Sequence, residues 1–132
     1  MNQQIALITD ANESNRSRLK SILLLRGLGV EEAEGGTHAL SILDQSAVDV
    51  VFADVTLPAT DGFELLPRIK RSVKNNNVPI VLLSHELPPK DLDRERKLGC
   101  AGYLVKPFNT AKLDEVWLAA GLFGRTSGAF RI

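Results

Sequence analysis

Four polar side chains stand at the ends of apolar runs in this chain. Asp10 follows IALIT (5–9), Asp54 closes DVVFAD (49–54), Ser84 closes VPIVLLS (78–84) and Lys106 closes AGYLVK (101–106). They supply two carboxylates, a hydroxyl and an ammonium, the makings of one polar site. The four can cooperate only if the runs are strands that end on one edge. After Asp54 comes VTLPATDG, where Pro58 and Asp61-Gly62 predict a turn.

The elements around these residues alternate. Leu19, Ile22, Leu23 and Arg26 predict a helix over 14–26, stopped by Gly27 and Gly29. VEEAE (30–34) is a charged, weak strand suited to a sheet edge. Gly35-Gly36 turns the chain, and Ala39, Leu40 and Leu43 mark a second helix. FELLPRIKRSV (63–73) has a helical pattern that Pro67 interrupts, which predicts a kink or a late start. Residues 89–98 form a charged helix behind Pro88-Pro89. Leu113, Val116, Trp117 and Ala120 define a last helix over 110–120. Five strands alternating with five helices imply an α/β fold, an open parallel sheet covered on both faces. Ligands of such sheets bind beyond the carboxyl ends of the strands, where the strand order reverses.

The 132 residues suit one domain, and the 44% hydrophobic content supplies a core. Sixteen basic residues balance sixteen acidic ones. A strong pull toward nucleic acid or an anionic membrane is therefore not expected. Cys100 is the single cysteine, so no internal disulfide forms. The start lacks the basic region of a signal peptide, and no segment has the roughly 18 unbroken apolar residues of a membrane span. A soluble, cytoplasmic protein is the expectation. His38 is expected on a solvated helix face, Cys100 as a small buried filler and Trp117 in the core.

From about Ile5 to Ala120 the chain resembles the receiver domain of two-component response regulators. DVTLPATDG (54–62) is similar to the family's acceptor block, Ser84 stands at its switch hydroxyl, and YLVKPF (103–108) is similar to its closing block. The resemblance implies a flavodoxin-like, doubly wound, five-stranded parallel sheet of order 2-1-3-4-5 with five helices. It implies a receiver domain over 1–120, with 121–132 as a tail or linker. Asp54 would be the phospho-acceptor, phosphorylated by a histidine kinase or phosphotransfer protein. Mg²⁺ would be held by Asp10, Asp54 and the backbone carbonyl of Thr56. Lys106 and Ser84 would contact the phosphoryl group, and Ser84 and Tyr103 would switch. The Lys106–Pro107 bond would be cis. Output would go to a downstream protein partner or output domain. The helix at 89–98, the strand at 101–106 and the helix at 110–120 would form that face, which could also carry a homodimer. The chain would be a signalling switch and not an enzyme.

The chain departs from the family's pattern twice. The family places two adjacent acids after its first strand; here they are Asp10 and Ala11. A methyl group coordinates nothing, so Mg²⁺ binding should be weak unless Asn12 or Glu13 compensates. His85 replaces a residue that is usually small and could narrow the entrance. These departures sustain an alternative, a pseudo-receiver that binds partners without phosphorylation. An aspartyl-phosphate phosphatase would need another acid where Thr56 stands. A flavin or nucleotide site would need a phosphate cradle that TDANESN lacks.

Overall fold

Every strand of the sheet points its carboxyl end toward the same edge, because all four strand pairings are parallel. The structure is a computed structural model and describes residues 3–57, 62–88, 96–97 and 99–122. Its elements are β1 (Ile5–Thr9), α1 (Glu13–Leu25), β2 (Gly29–Ala33), α2 (Gly36–Gln45), β3 (Val50–Asp54), α3 (Gly62–Lys70), β4 (Ile80–Ser84), β5 (Cys100–Val105) and α4 (Thr110–Ala119). The strand order is β2-β1-β3-β4-β5, the flavodoxin-like arrangement. Of the helix expected over 89–98, only Arg96 and Lys97 are described, and both are helical. The tail from residue 123 onward lies outside the described residues.

Period-two alternation divides the core. Leu7, Val51, Ala53, Ile80 and Leu82 pack on the face covered by α2 and α3. Ala6, Ile8, Phe52, Val81 and Leu83 pack on the other, with Leu19 and Leu23 of α1 and Leu113 and Trp117 of α4. Trp117 stacks on Phe52, ring centroids 6.4 Å apart. Cys100 is buried and His38 exposed, as expected. Leu122 is buried in the α1–α4 face.

The charged strand β2 is the sheet edge beside β1. Asn12 caps α1 by accepting the Asn15 N–H at 2.9 Å, and Asn109 caps α4 by accepting the Lys112 N–H at 2.9 Å. Pro67 neither delays nor ends α3, which starts at Gly62 and runs through it to Lys70. The ring forfeits one intrahelical bond, to the Phe63 carbonyl. Burial of Leu65, Leu66 and Ile69 compensates.

Two close approaches shape the sheet. A Cβ on Gly62 would lie 2.7 Å from the Asp54 carbonyl oxygen, so only glycine lets α3 start against the end of β3. A Cβ on Gly102 would lie 2.6 Å from Cγ1 of Val116 in α4. The register of β4 against β5 also slips: Ile80 pairs with Cys100, but Val81 pairs with Gly102. This bulge at Ala101 switches the face of every later side chain in β5.

Asn75 ties the last turn of α2 to the loop before β3. It is buried, accepts the Val48 N–H at 2.9 Å, and donates to the carbonyls of Leu43 at 2.8 Å and Ser46 at 2.9 Å. Asn75→Ala leaves those groups unpaired and should lower the unfolding free energy by about 2–3 kcal/mol in urea titrations.

Candidate functional site

The strand ends bring together the polar groups singled out in the sequence. Asp54 is the last residue of β3, and Asp10 follows β1 beside it. Lys106 follows β5, on the far side of β4. All three are buried. The Lys106 ammonium donates to Asp10 Oδ2 at 2.6 Å and also to Asp54 Oδ2. The Lys106–Pro107 bond is cis.

Every carboxylate oxygen in the cluster has a partner. Asp10 Oδ1 accepts the Asn12 N–H at 2.9 Å. Asp54 Oδ1 accepts the Thr56 N–H at 2.6 Å and the Thr56 hydroxyl at 2.5 Å. Ser84, buried at the end of β4, accepts the Glu86 N–H on its hydroxyl oxygen at 3.0 Å. Its carbonyl accepts the Lys106 N–H at 2.7 Å. Exposed His85 lines a cavity of about 50 Å³ with Asp10, Arg18, Lys106 and Phe108. Tyr103 stands apart from the cluster. It is half-buried on the α2–α3 face and lines a groove with Gly102, Glu115 and Val116.

The first loop is arranged differently from what compensation for Ala11 would need. The Asn12 side chain is committed to capping α1, and Ala11 and Glu13 are exposed. Among the described residues no group of three or more His, Cys, Asp or Glu is placed to hold a metal. What remains is a hard oxygen donor set of two carboxylates. It fits a hard divalent cation that keeps most of its own waters.

Two residues here were not anticipated. Arg16 is buried, donates to the Asp10 carbonyl at 2.8 Å, and pairs with Glu32 of β2 at 3.3 Å. Its signal was its place on the apolar stripe of α1, with Leu19 and Leu23. Arg18 donates to the Phe108 carbonyl at 2.7 Å, with its guanidinium 5.8 Å from the centre of the Phe108 ring. That long-range contact left no local signal.

The electrostatics follow from the shared ammonium. Burial alone would push the Asp54 carboxyl up, but hydrogen bonds from Lys106 and Thr56 hold it below the ordinary 3.8. Burial alone would push Lys106 down, but Asp10 and Asp54 hold it above the ordinary 10.5. Asp54 therefore contributes stability above its unfolded value, lost as pH falls through the lower folded value. Lys106 contributes fully below its unfolded value, and the contribution is lost as pH rises through the higher folded value. Lys106→Met leaves two buried carboxylates face to face. Its unfolding free energy should fall by about 3 kcal/mol near pH 7. That deficit should shrink at acidic pH, since a protonated carboxyl removes the repulsion. Urea unfolding at neutral and acidic pH checks this.

Comparison with known proteins agrees with this arrangement. The family model described as "Response regulator receiver domain" matches residues 6–117. The chain is 30% identical over 95 residues to the probable transcriptional regulator ycf29 of Pyropia yezoensis, covering 72% of this chain and 43% of that protein. The ycf29 protein of Porphyra purpurea matches at the same identity, with 46% of its length covered. The chain thus spans less than half the length of these relatives. Among solved structures, the chemotaxis response regulator CheY4 of Vibrio cholerae superposes with a TM-score of 0.81 at 28% identity, covering 90% of this chain and 99% of that one. The receiver domain of sensor histidine kinase PA1611 from Pseudomonas aeruginosa PAO1, with magnesium coordinated in its active site cleft, gives 0.77 at 25% identity, covering 91% and 99%. This chain belongs to the response regulator receiver domain family, modules of two-component signalling.

Proposed function

We propose that this receiver domain accepts a phosphoryl group on Asp54 from a histidine kinase or phosphotransfer protein, and that the modified site switches its output face. The observation that carries this is the buried Lys106 ammonium shared by Asp10 and Asp54. A fold has no need to gather a cation and two acids at three strand ends, and doing so carries a desolvation cost. A site that must receive a doubly charged phosphoryl group does need such a cation.

Asp10, Asp54 and the Thr56 carbonyl would hold Mg²⁺. When bound, the ion would neutralise charge on the phosphoryl oxygens. Lys106 would turn from Asp10 toward the new oxygens, and the Ser84 hydroxyl would donate to them. Tyr103, at the groove beside β5 and α4, would report the change to a downstream protein partner, an output domain or a second copy. The working unit would be residues 1–120, with 121–132 as tail or linker, in the cytoplasm. It would act as a switch, with no nucleic-acid or membrane contact of its own. No helix among the described residues is long and apolar enough to cross a membrane.

A specific observation favours a second possibility. Ala11 supplies no ligand, and neither Asn12 nor Glu13 turns to replace it. A pseudo-receiver that binds its partner without phosphorylation fits that loop.

Amide NMR titration with Mg²⁺ and then beryllofluoride separates the two, with Asp54→Asn as control. The expected result is saturable shifts at Asp10 and Asp54 that spread to Ser84 and Tyr103 and vanish in the control. No shifts at high Mg²⁺ would reject the switch in favour of the pseudo-receiver. Ala11→Asp should tighten Mg²⁺ binding by about tenfold, the effect of one added carboxylate near a hard dication.

A further inference from the structure

Lys106 is held from both ends. Its ammonium donates to Asp10 and Asp54, and its backbone N–H donates to the Ser84 carbonyl at 2.7 Å. The chain that follows, Pro107-Phe108-Asn109, links β5 to α4. Arg18 of α1 fastens that link. It donates to the Phe108 carbonyl at 2.7 Å, and its guanidinium lies 5.8 Å from the centre of the Phe108 ring. The planar fork of arginine can donate to a carbonyl and face an aromatic ring at once. The next residue, Asn109, caps α4 with its side chain. Arg18, Lys106, Pro107 and Phe108 line the same cavity beside Asp10. A residue of α1 thus anchors the backbone from which the shared ammonium extends.

We propose that Arg18 is a positioning residue: by clamping the Phe108 carbonyl it steadies the backbone from which Lys106 reaches a phosphoryl group on Asp54. This rests on Asp54 being the acceptor. At rest the two acids fix the ammonium by themselves, so the clamp adds little. When Asp54 carries the group, Lys106 gives up Asp10 and bonds the new oxygens. A lysine ammonium sits on a flexible four-carbon stem and loses rotamer freedom with each bond it makes. A mobile backbone beneath the stem enlarges that loss. The turn of Lys106 is a rotation about its own side-chain torsions and leaves the Phe108 carbonyl where it is, so the clamp serves both states. It therefore favours the modified state, because only the difference between the two states counts. The bond is exposed to solvent, and water can stand in for the guanidinium, which keeps the effect modest.

The test compares the whole chain with Arg18→Gln by amide shifts at Asp54 and Ser84. Mg²⁺ is titrated first, then beryllofluoride at saturating Mg²⁺. Beryllofluoride affinity should fall about three- to fivefold in Arg18→Gln. Mg²⁺ affinity should change by less than about twofold, since Arg18 bonds none of the proposed ligands. Equal beryllofluoride affinities overturn the positioning role while leaving Asp54 as acceptor. A matching fall in Mg²⁺ affinity would mark general damage to the site and overturn it too. If wild type responds no more than Asp54→Asn, the acceptor reading fails and the role of Arg18 falls with it. Repeating the titration at about 1 M salt, where charges are screened beyond about 3 Å, separates clamp from field. A clamp keeps the difference; a difference that vanishes overturns the proposal, because only the charge of Arg18 acted. A last measurement needs no phosphoryl mimic. Backbone amide order parameters at Phe108 and Asn109 should fall in Arg18→Gln. Unchanged values overturn the clamp, whatever the phosphoryl chemistry.

Discussion

One buried ammonium between two carboxylates is the constraint around which this molecule is built. Lys106 stands beyond β5, while its partners stand at β1 and β3. Neighbouring strands lie about 4.8 Å apart, so the lysine must reach across the end of β4. Only a long, flexible cation can do so, and β4 ends on a small residue, Ser84. In a low-dielectric setting the three charges are tolerable only together. Register, helix placement and loop geometry at that edge must all keep them within reach.

Several features make sense as service to that cluster. The bulge at Ala101 sets which face the later β5 side chains take, and so places Leu104 in the core beside α1 and α4. Glycine at 62 lets α3 begin against the Asp54 backbone. The Asp10 peptide is pinned by its N–H bond to the Ala33 carbonyl and by Arg16 on its own carbonyl. Arg16 is in turn braced by Glu32, whose carboxyl is held low mainly by Lys20. The edge strand β2 therefore supports the acid of β1 both through its backbone and through a side chain.

Alanine at position 11 bears on the electrostatic balance of the site. Two carboxylates and one ammonium leave a single net negative charge, where a further acid would leave two. A dication is then attracted less strongly, and the bonds made within the protein weigh more. The hydrogen bonds that Thr56 donates to Asp54 belong to that internal set. Their strength bears directly on how readily the carboxylate gives up its charge.

Much of this was legible along the chain because it rests on local pattern. Apolar runs of strand length, helical spacing such as Leu113 with Trp117, and polar residues at the run ends specify an α/β sheet with chemistry on one edge. The block DVTLPATDG, with Ser84 and YLVKPF behind it, pointed to the family. Other features depend on partners distant in sequence and had no local mark. Asn75 binds backbone groups 27 to 32 residues away, and Arg18 reaches Phe108 across 90. The late start that Pro67 suggested does not occur, because propensity is a local cost that burial of the rest of α3 outweighs. The residue types and their order determined by themselves which groups reach the sheet edge. Only the tertiary structure decided that one ammonium would bind both acids, that Asn12 would cap a helix and that Thr56 would bond Asp54. Such choices turn on ångström distances between groups brought together by packing, and packing is a property of the whole chain.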